Sequence, residues 1–164
     1  MKINFELNGK STSLEIEPRE TLAEVLRARC RLTGVKLSCE SQVCGSCTVL
    51  VDALPVSACT YLAYEIRDKR VTTIEGLAGG AGRLHPLQQA FLDHFAFQCG
   101  FCTPGMILAA KSLLDENVHA SDEEIIAYMS GNLCRCTGYL GILKAIRQAS
   151  AELQGPAERK QAKS

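Results

Sequence analysis

The sequence predicts an α+β protein in which a small sheet crossed by one helix is followed by a bundle of short helices. Three observations carry this: apolar residues alternate with period two in the first half, a glycine-rich break falls near residue 80, and apolar residues recur every three or four positions in the second half. A chain of 164 residues is long enough to bury roughly 70% of the surface its unfolded form exposes, so a core needs no covalent staples.

The elements follow in order. Ile3, Phe5 and Leu7 alternate, Asn8-Gly9 is the dipeptide a type I′ hairpin turn prefers, and Leu14 and Ile16 resume the alternation on a return strand. Thr21 and Glu24 form a capping box ahead of Leu22, Val25, Leu26 and Cys30, which recur at helical spacing until Thr33-Gly34 stops the run. Thr48-Val49-Leu50-Val51 and Val71-Thr72-Thr73-Ile74 read as further strands. Four glycines between Gly76 and Gly82 mark a linker, dividing the chain into residues 1–78 and 79–164. Helical patterns then cover about 85–97 (Leu87, Phe91, Phe95), about 104–115 (Met106, Ile107, Ala110, Leu113, Leu114), about 122–130, opened by a second capping box at Ser121 and Glu124, and about 139–152. From about residue 154 the tail lacks an apolar pattern and is expected to fray.

Eighteen basic and eighteen acidic residues cancel, which argues against a nucleic-acid footprint or attraction to an anionic membrane. No stretch approaches the roughly 18 apolar residues of a membrane span, and the first residues lack the apolar core of a secretory signal, so the expectation is a cytoplasmic protein. Nine cysteines are many for a reducing compartment, where such residues bind metal or do chemistry more often than they form disulfides.

Their spacing is specific. Cys39, Cys44 and Cys47 form a C-x4-C-x2-C run with Cys59 further on, the arrangement of a plant-type [2Fe-2S] loop whose fourth thiolate arrives from a neighbouring segment. Gly45 and Ser46 are small where the backbone must turn sharply close to the sulfurs. Cys99-x2-Cys102 and Cys134-x-Cys136 form a second set at helix boundaries: Pro104 suits a first helical turn, and Gly131 and Asn132 end a helix before Cys134. A helix dipole with its positive end near Cys102 would favour the reduced cluster there, so the two clusters are expected to differ in potential.

Zinc also takes four thiolates and stays open for the second set, which makes a zinc-stabilised interaction module the rival of a different class. The C-x2-C-x2-C run of a bacterial [4Fe-4S] site is absent. Cys30 lies on the apolar stripe of the first helix and reads as a small core thiol; His85, His94 and His119 form no spaced pair and read as structural or exposed. No phosphate-cradling glycine loop, nucleophile elbow or paired-carboxylate site stands out. The residues thus describe an electron carrier with no substrate-transforming centre.

Three stretches resemble the small iron–sulfur subunit of the xanthine oxidase family of molybdenum hydroxylases. They are Ser38-Cys39-Glu40 through Cys44-Gly45-Ser46-Cys47-Thr48-Val49, Gln98-Cys99-Gly100-Phe101-Cys102-Thr103-Pro104-Gly105-Met106, and Gly131-Asn132-Leu133-Cys134-Arg135-Cys136-Thr137-Gly138-Tyr139. The resemblance implies an N-terminal β-grasp ferredoxin-like domain and a C-terminal four-helix bundle, each with one [2Fe-2S] cluster. It implies that Gln98 and Cys136 contact the pterin of a molybdenum cofactor on a large subunit. Electrons would cross this chain to FAD on a medium subunit, within a dimer of heterotrimers. A two-cluster ferredoxin working alone is the rival within electron transfer. The chain departs from the family pattern at Ser38, Ser41, Gln42 and Val43, where relatives often carry glycine or an acidic residue; the four cysteines remain.

Overall fold

The computed structural model describes residues 1–79 and 82–154. The expected frayed tail beyond residue 154, and residues 80 and 81 of the expected linker, lie outside that range.

Strands β1 (Lys2–Leu7) and β2 (Lys10–Glu15) form the expected antiparallel hairpin, with Asn8 at φ 51° and Gly9 at φ 78° supplying the two positive φ angles of a type I′ turn. The Thr21–Glu24 capping box is present and opens α1 (Leu22–Glu24). The expected helix does not continue as an α-helix: Val25–Arg29 widens into a π-turn in which Cys30 N–H donates to the Val25 carbonyl at 3.1 Å. Val25 and Leu26 stay buried, while Arg27 reaches the Val35 carbonyl and Arg29 pairs with Glu20. Cys30 is half-buried and packs against the core, as its place on the stripe implies.

Strand β3 (Thr48–Val51) is as expected, and β5 (Arg70–Thr72) starts and stops slightly earlier than the apolar run suggests. Between them lies β4 (Leu54–Ser57), which the sequence pattern did not reveal. The sheet order is β2-β1-β5-β3-β4, parallel only between β1 and β5. Pro55 sits in β4 because β4 is an edge strand, where a missing N–H costs no ladder bond.

Helices α2 (Pro86–Asp93), α3 (Thr103–Glu116), α4 (Asp122–Met129) and α5 (Leu140–Leu153) follow the sheet in the chain. The Ser121–Glu124 capping box is present, and His85 caps α2 by accepting from Leu87 N–H through Nδ1, a structural role. Helix α2 ends four residues earlier than expected. Ala96 N–H reaches back to the Phe91 carbonyl at 2.9 Å and Phe95 N–H to Leu92 at 3.1 Å, with Phe95 at φ 48°; this is a Schellman stop with phenylalanine where glycine is usual. Phe95 therefore leaves the apolar stripe and is 82% exposed.

Two cores meet at β3. Val49 and Val51 pack into the core between the sheet and α1, whereas Leu50 packs on the opposite face with Met106, Leu113 and Ile146 of the helices. Ser112 of α3 donates to the Ala53 carbonyl at 2.8 Å in the β3–β4 turn. The start of the expected linker is also tightly packed: Leu77 is buried in the helical core, and a side chain at Gly76 would collide with Asn8. Among the described residues no helix is long and apolar enough to cross a membrane.

Asn8 ties the hairpin to this packing, since its Oδ1 accepts from Thr73 N–H at 2.9 Å and its Nδ2 donates to Thr73 Oγ1 at 3.0 Å. Asn8→Ala strands the fully buried Thr73 and leaves alanine at positive φ, and is expected to cost about 2–3 kcal/mol. A lowered urea midpoint with an unchanged slope checks it.

Candidate metal centres

The first set of cysteines lies on the loop between the π-turn and β3, with Cys59 delivered just past β4. The loop curls through left-handed conformations at Glu40 (φ 52°), Gln42 (φ 62°) and Gly45 (φ 67°), which turns successive N–H groups inward. Cys39 Sγ accepts from Val43 N–H and Cys44 N–H, each at 3.4 Å. The Ser41 N–H, followed by those of Cys44 and Val43 and by the Ser41 hydroxyl, holds the Cys39 thiol down at about 6. Cys47 is buried, and burial pushes its thiol up to about 12 beside Cys59.

The second set is built on helix ends. Cys102 is the N-cap residue of α3, Pro104 stands in its first turn, and α4 ends at Met129 before the turn that carries Cys134 and Cys136. Cys99 Sγ and Cys136 Sγ lie 3.6 Å apart. Cys102 is pushed up to about 12 by burial and by Cys134 against it. Burial also pushes the Cys134 thiol up, but the Thr137 hydroxyl and the N–H groups of Cys136 and Thr137 outweigh it and leave the thiol below its usual value. The neighbouring Cys99 sulfur raises Cys136. Gln98 Nε2 donates to the Cys136 carbonyl at 3.0 Å, so the two residues singled out for pterin contact stand side by side at the surface.

A [2Fe-2S] group suits these donors. Among the described residues no three His, Cys, Asp or Glu side chains close on a single point, as one ion would need. Cys47 stands beside Cys59, Cys102 beside Cys134, and Cys99 lies 3.6 Å from Cys136, so thiols of each set are gathered close enough to serve one group that takes several thiolates. Raised thiols crowded against one another are costly unless a cationic group takes them as thiolates. Thr103 Oγ1, next to Cys102, is buried without a hydrogen-bond partner among the described residues, the condition of a hydroxyl left for a guest acceptor.

The two sets share a wall. A cleft of about 360 Å³ is lined by Cys99, Cys102, Cys134 and Cys136, and also by Cys44 of the first set. Leu133 N–H donates to the Cys44 carbonyl at 2.9 Å, and buried Asn132 donates through Nδ2 to the Gly45 carbonyl at 3.0 Å and to Thr48 Oγ1 at 3.4 Å. A side chain on Gly45 would strike Asn132 and the Gly131 carbonyl, and one on Gly105 the Gly45 carbonyl. Gly45 is thus small for the approach of the second site, not only for the sulfurs of its own. Sequence reasoning read Asn132 only as a helix stop and gave no role to Gly105, Thr103, Thr137 or Tyr139; their placement close to cysteines was the available signal.

Comparison with known proteins agrees with this geometry. Residues 5–73 match the family model of a 2Fe-2S iron-sulfur cluster binding domain, and residues 73–147 that of a [2Fe-2S] binding domain. The chain is 45% identical to the nicotine 6-hydroxylase small subunit of Paenarthrobacter nicotinovorans, over 93% of this chain and 92% of that one. It is 49% identical to the nicotinate dehydrogenase small FeS subunit of Eubacterium barkeri, over 90% and 93%. The crystal structure of quinoline 2-oxidoreductase from Pseudomonas putida 86 superimposes with a TM-score of 0.89 at 46% identity, covering 98% of this chain and 96% of that one. The chain belongs to the small [2Fe-2S] subunits of the xanthine oxidase family of molybdenum hydroxylases. It is therefore an oxidoreductase subunit with two [2Fe-2S]-binding regions.

Asn132→Ala removes both of its bonds to the first loop and is expected to lower stability by about 1–3 kcal/mol. An unchanged denaturation midpoint would show that the two sites do not lean on this side chain.

Proposed function

We propose that this chain is the electron-transfer subunit of a cytoplasmic heterotrimeric molybdenum hydroxylase or dehydrogenase, passing electrons from a molybdenum–pterin cofactor on a large subunit through its two clusters to FAD on a medium subunit. The clusters, when bound, supply one-electron redox centres. Residues 1–78, folded as a β-grasp, would hold the first through Cys39, Cys44, Cys47 and Cys59. Residues 79–164, folded around four helices, would hold the second through Cys99, Cys102, Cys134 and Cys136. The assembly would be a dimer of such heterotrimers.

The observation that carries the reading is the hydrogen bond from Leu133 N–H to the Cys44 carbonyl. It joins Cys44 to the residue preceding Cys134, so a covalent run interrupted by one hydrogen bond links a sulfur of the first site to a sulfur of the second. At the far side, Cys99 is exposed, and Gln98 and Cys136 are held together at the surface, a position that suits contact with a partner's pterin. The match of both halves to [2Fe-2S] family models speaks for iron–sulfur clusters rather than a zinc ion at each site. The likeness to subunits of multi-chain enzymes speaks for a partnered chain rather than a carrier working alone.

Two clusters of two irons and two sulfides predict four of each per chain in chemical analysis; zinc in their place overturns the reading. Cys47→Ser is expected to abolish the first cluster's EPR signal while the second persists. Cys136→Ser is expected to slow reduction of the first cluster by substrate in the assembled enzyme; unchanged reduction and turnover would exclude the proposed route.

A further inference from the structure

The turn after the last cysteines closes a ring of three hydrogen bonds on itself. Cys134 N–H donates to Tyr139 Oη at 2.9 Å, Tyr139 N–H donates to Thr137 Oγ1 at 3.3 Å, and Thr137 Oγ1 donates to Cys134 Sγ at 3.1 Å. Because the Thr137 oxygen already accepts from Tyr139, its own proton is directed at the sulfur. The ring is held against backbone strain: Gly138 has φ 63° and Tyr139, which is not glycine, has φ 69°. A tyrosine in that conformation needs compensation, and the bond from Cys134 N–H to its hydroxyl supplies it.

We propose that Thr137 raises the reduction potential of the second cluster by donating its hydroxyl proton to the Cys134 sulfur, with Tyr139 as the positioning residue that aims it. The inference rests on the assignment of Cys134 as an iron ligand. Reduction adds negative charge to the cluster and its sulfurs, and a hydrogen bond strengthens as its acceptor becomes more anionic. The donor therefore stabilises the reduced state more than the oxidised one, and hydrogen bonds to cluster sulfurs are among the determinants of potential. Partial burial of the contact limits competition from water. The effect is local to the second site, because the sulfur contacts at Cys39 come from different donors, the N–H groups of Val43 and Cys44. Thr137 would thus bias where an electron rests between the two clusters through a hydroxyl that makes no hydrogen bond to the first loop.

The test is an EPR-monitored redox titration of the assembled enzyme. Thr137→Val and Thr137→Ala are expected to shift the second cluster's reduction equilibrium about tenfold toward the oxidised form, a midpoint lower by about 59 mV. The first cluster's midpoint stays put, and Thr137→Ser, which keeps the hydroxyl, retains the wild-type value. An unmoved midpoint in the valine and alanine variants overturns the proposal, as does a serine variant that shifts equally. Should those variants fail to assemble the second cluster, the wild-type enzyme still decides. Proton ENDOR on the second cluster's signal should show a strongly coupled proton that exchanges within seconds in deuterated buffer, as a hydroxyl does and a buried amide does not; its absence refutes the donor. Cys134→Ala, which leaves no donor atom, tests the underlying assignment separately. A surviving second-cluster signal there sinks the ligand reading, whereas a lost signal combined with an unmoved Thr137→Val midpoint sinks the tuning role alone.

Discussion

The architecture depends on one close contact, the Gly45 carbonyl of the first cysteine loop pressed between Gly105 of α3 and the Asn132 side chain. All three positions are constrained by it. Gly45 and Gly105 are small because any side chain would meet backbone or Asn132, and Asn132 is polar in a buried place because it has a carbonyl and a hydroxyl to bind. With that peptide fixed, Leu133 N–H comes to the Cys44 carbonyl, and Cys44 itself becomes part of the wall of the second site. The contact thus fixes the spacing between the two cysteine sets.

The wider fold serves the same end. Strand β3 is buried on both faces, with Val49 and Val51 turned to one core and Leu50 to the other, so the sheet cannot rotate on the helices without exposing apolar surface to water. The Ser112–Ala53 bond and the buried Leu77 add to this union from the rim. The thiols introduce an opposing cost. At the first site a ready anion at Cys39 sits near a reluctant, buried Cys47; at the second, Cys134 lies low while Cys102 is pushed high against it. Such mixtures are poorly satisfied by protons alone and well satisfied by a cationic centre, which links cluster insertion to the stability of both loops.

Local signals in the sequence were accurate where the physics is local. The Asn8-Gly9 turn, the two serine and threonine capping boxes and the four helices all follow from residues within a few positions of one another. Strand β4 escaped because Pro55 argues against a strand unless the edge position is known, and because its turn uses Asp52 and Ala53 at positive φ, without glycine. The early stop of α2 escaped for a similar reason, since phenylalanine occupies the left-handed position at Phe95. The π-turn at Val25–Arg29 has no periodicity signal at this length. For the metal centres, cysteine spacing named the candidate ligands, but the wall between the sites joins Gly45 to Asn132 and Cys44 to Leu133 across long stretches of chain. No local rule encodes that contact.

Of the nine non-glycine residues at positive φ among those described, three stand close to the candidate ligand cysteines in the chain, Glu40 and Gln42 in the first loop and Tyr139 past Cys136, while the others lie elsewhere. Each of the three holds a conformation that an L side chain avoids, and two have visible compensation, Gln42 Oε1 accepting from Thr60 and Tyr139 Oη accepting from Cys134 N–H. The curvature they impose faces N–H groups and hydroxyls toward sulfur, which a relaxed loop would leave to water. Glycine at these positions would give the same curvature with less strain but would supply no side-chain tether, leaving the donors free to swing. The strained residues therefore preorganise the electrostatic surroundings of the sulfurs: the donors are already aimed before any charge arrives, so little reorganisation is needed when an electron does.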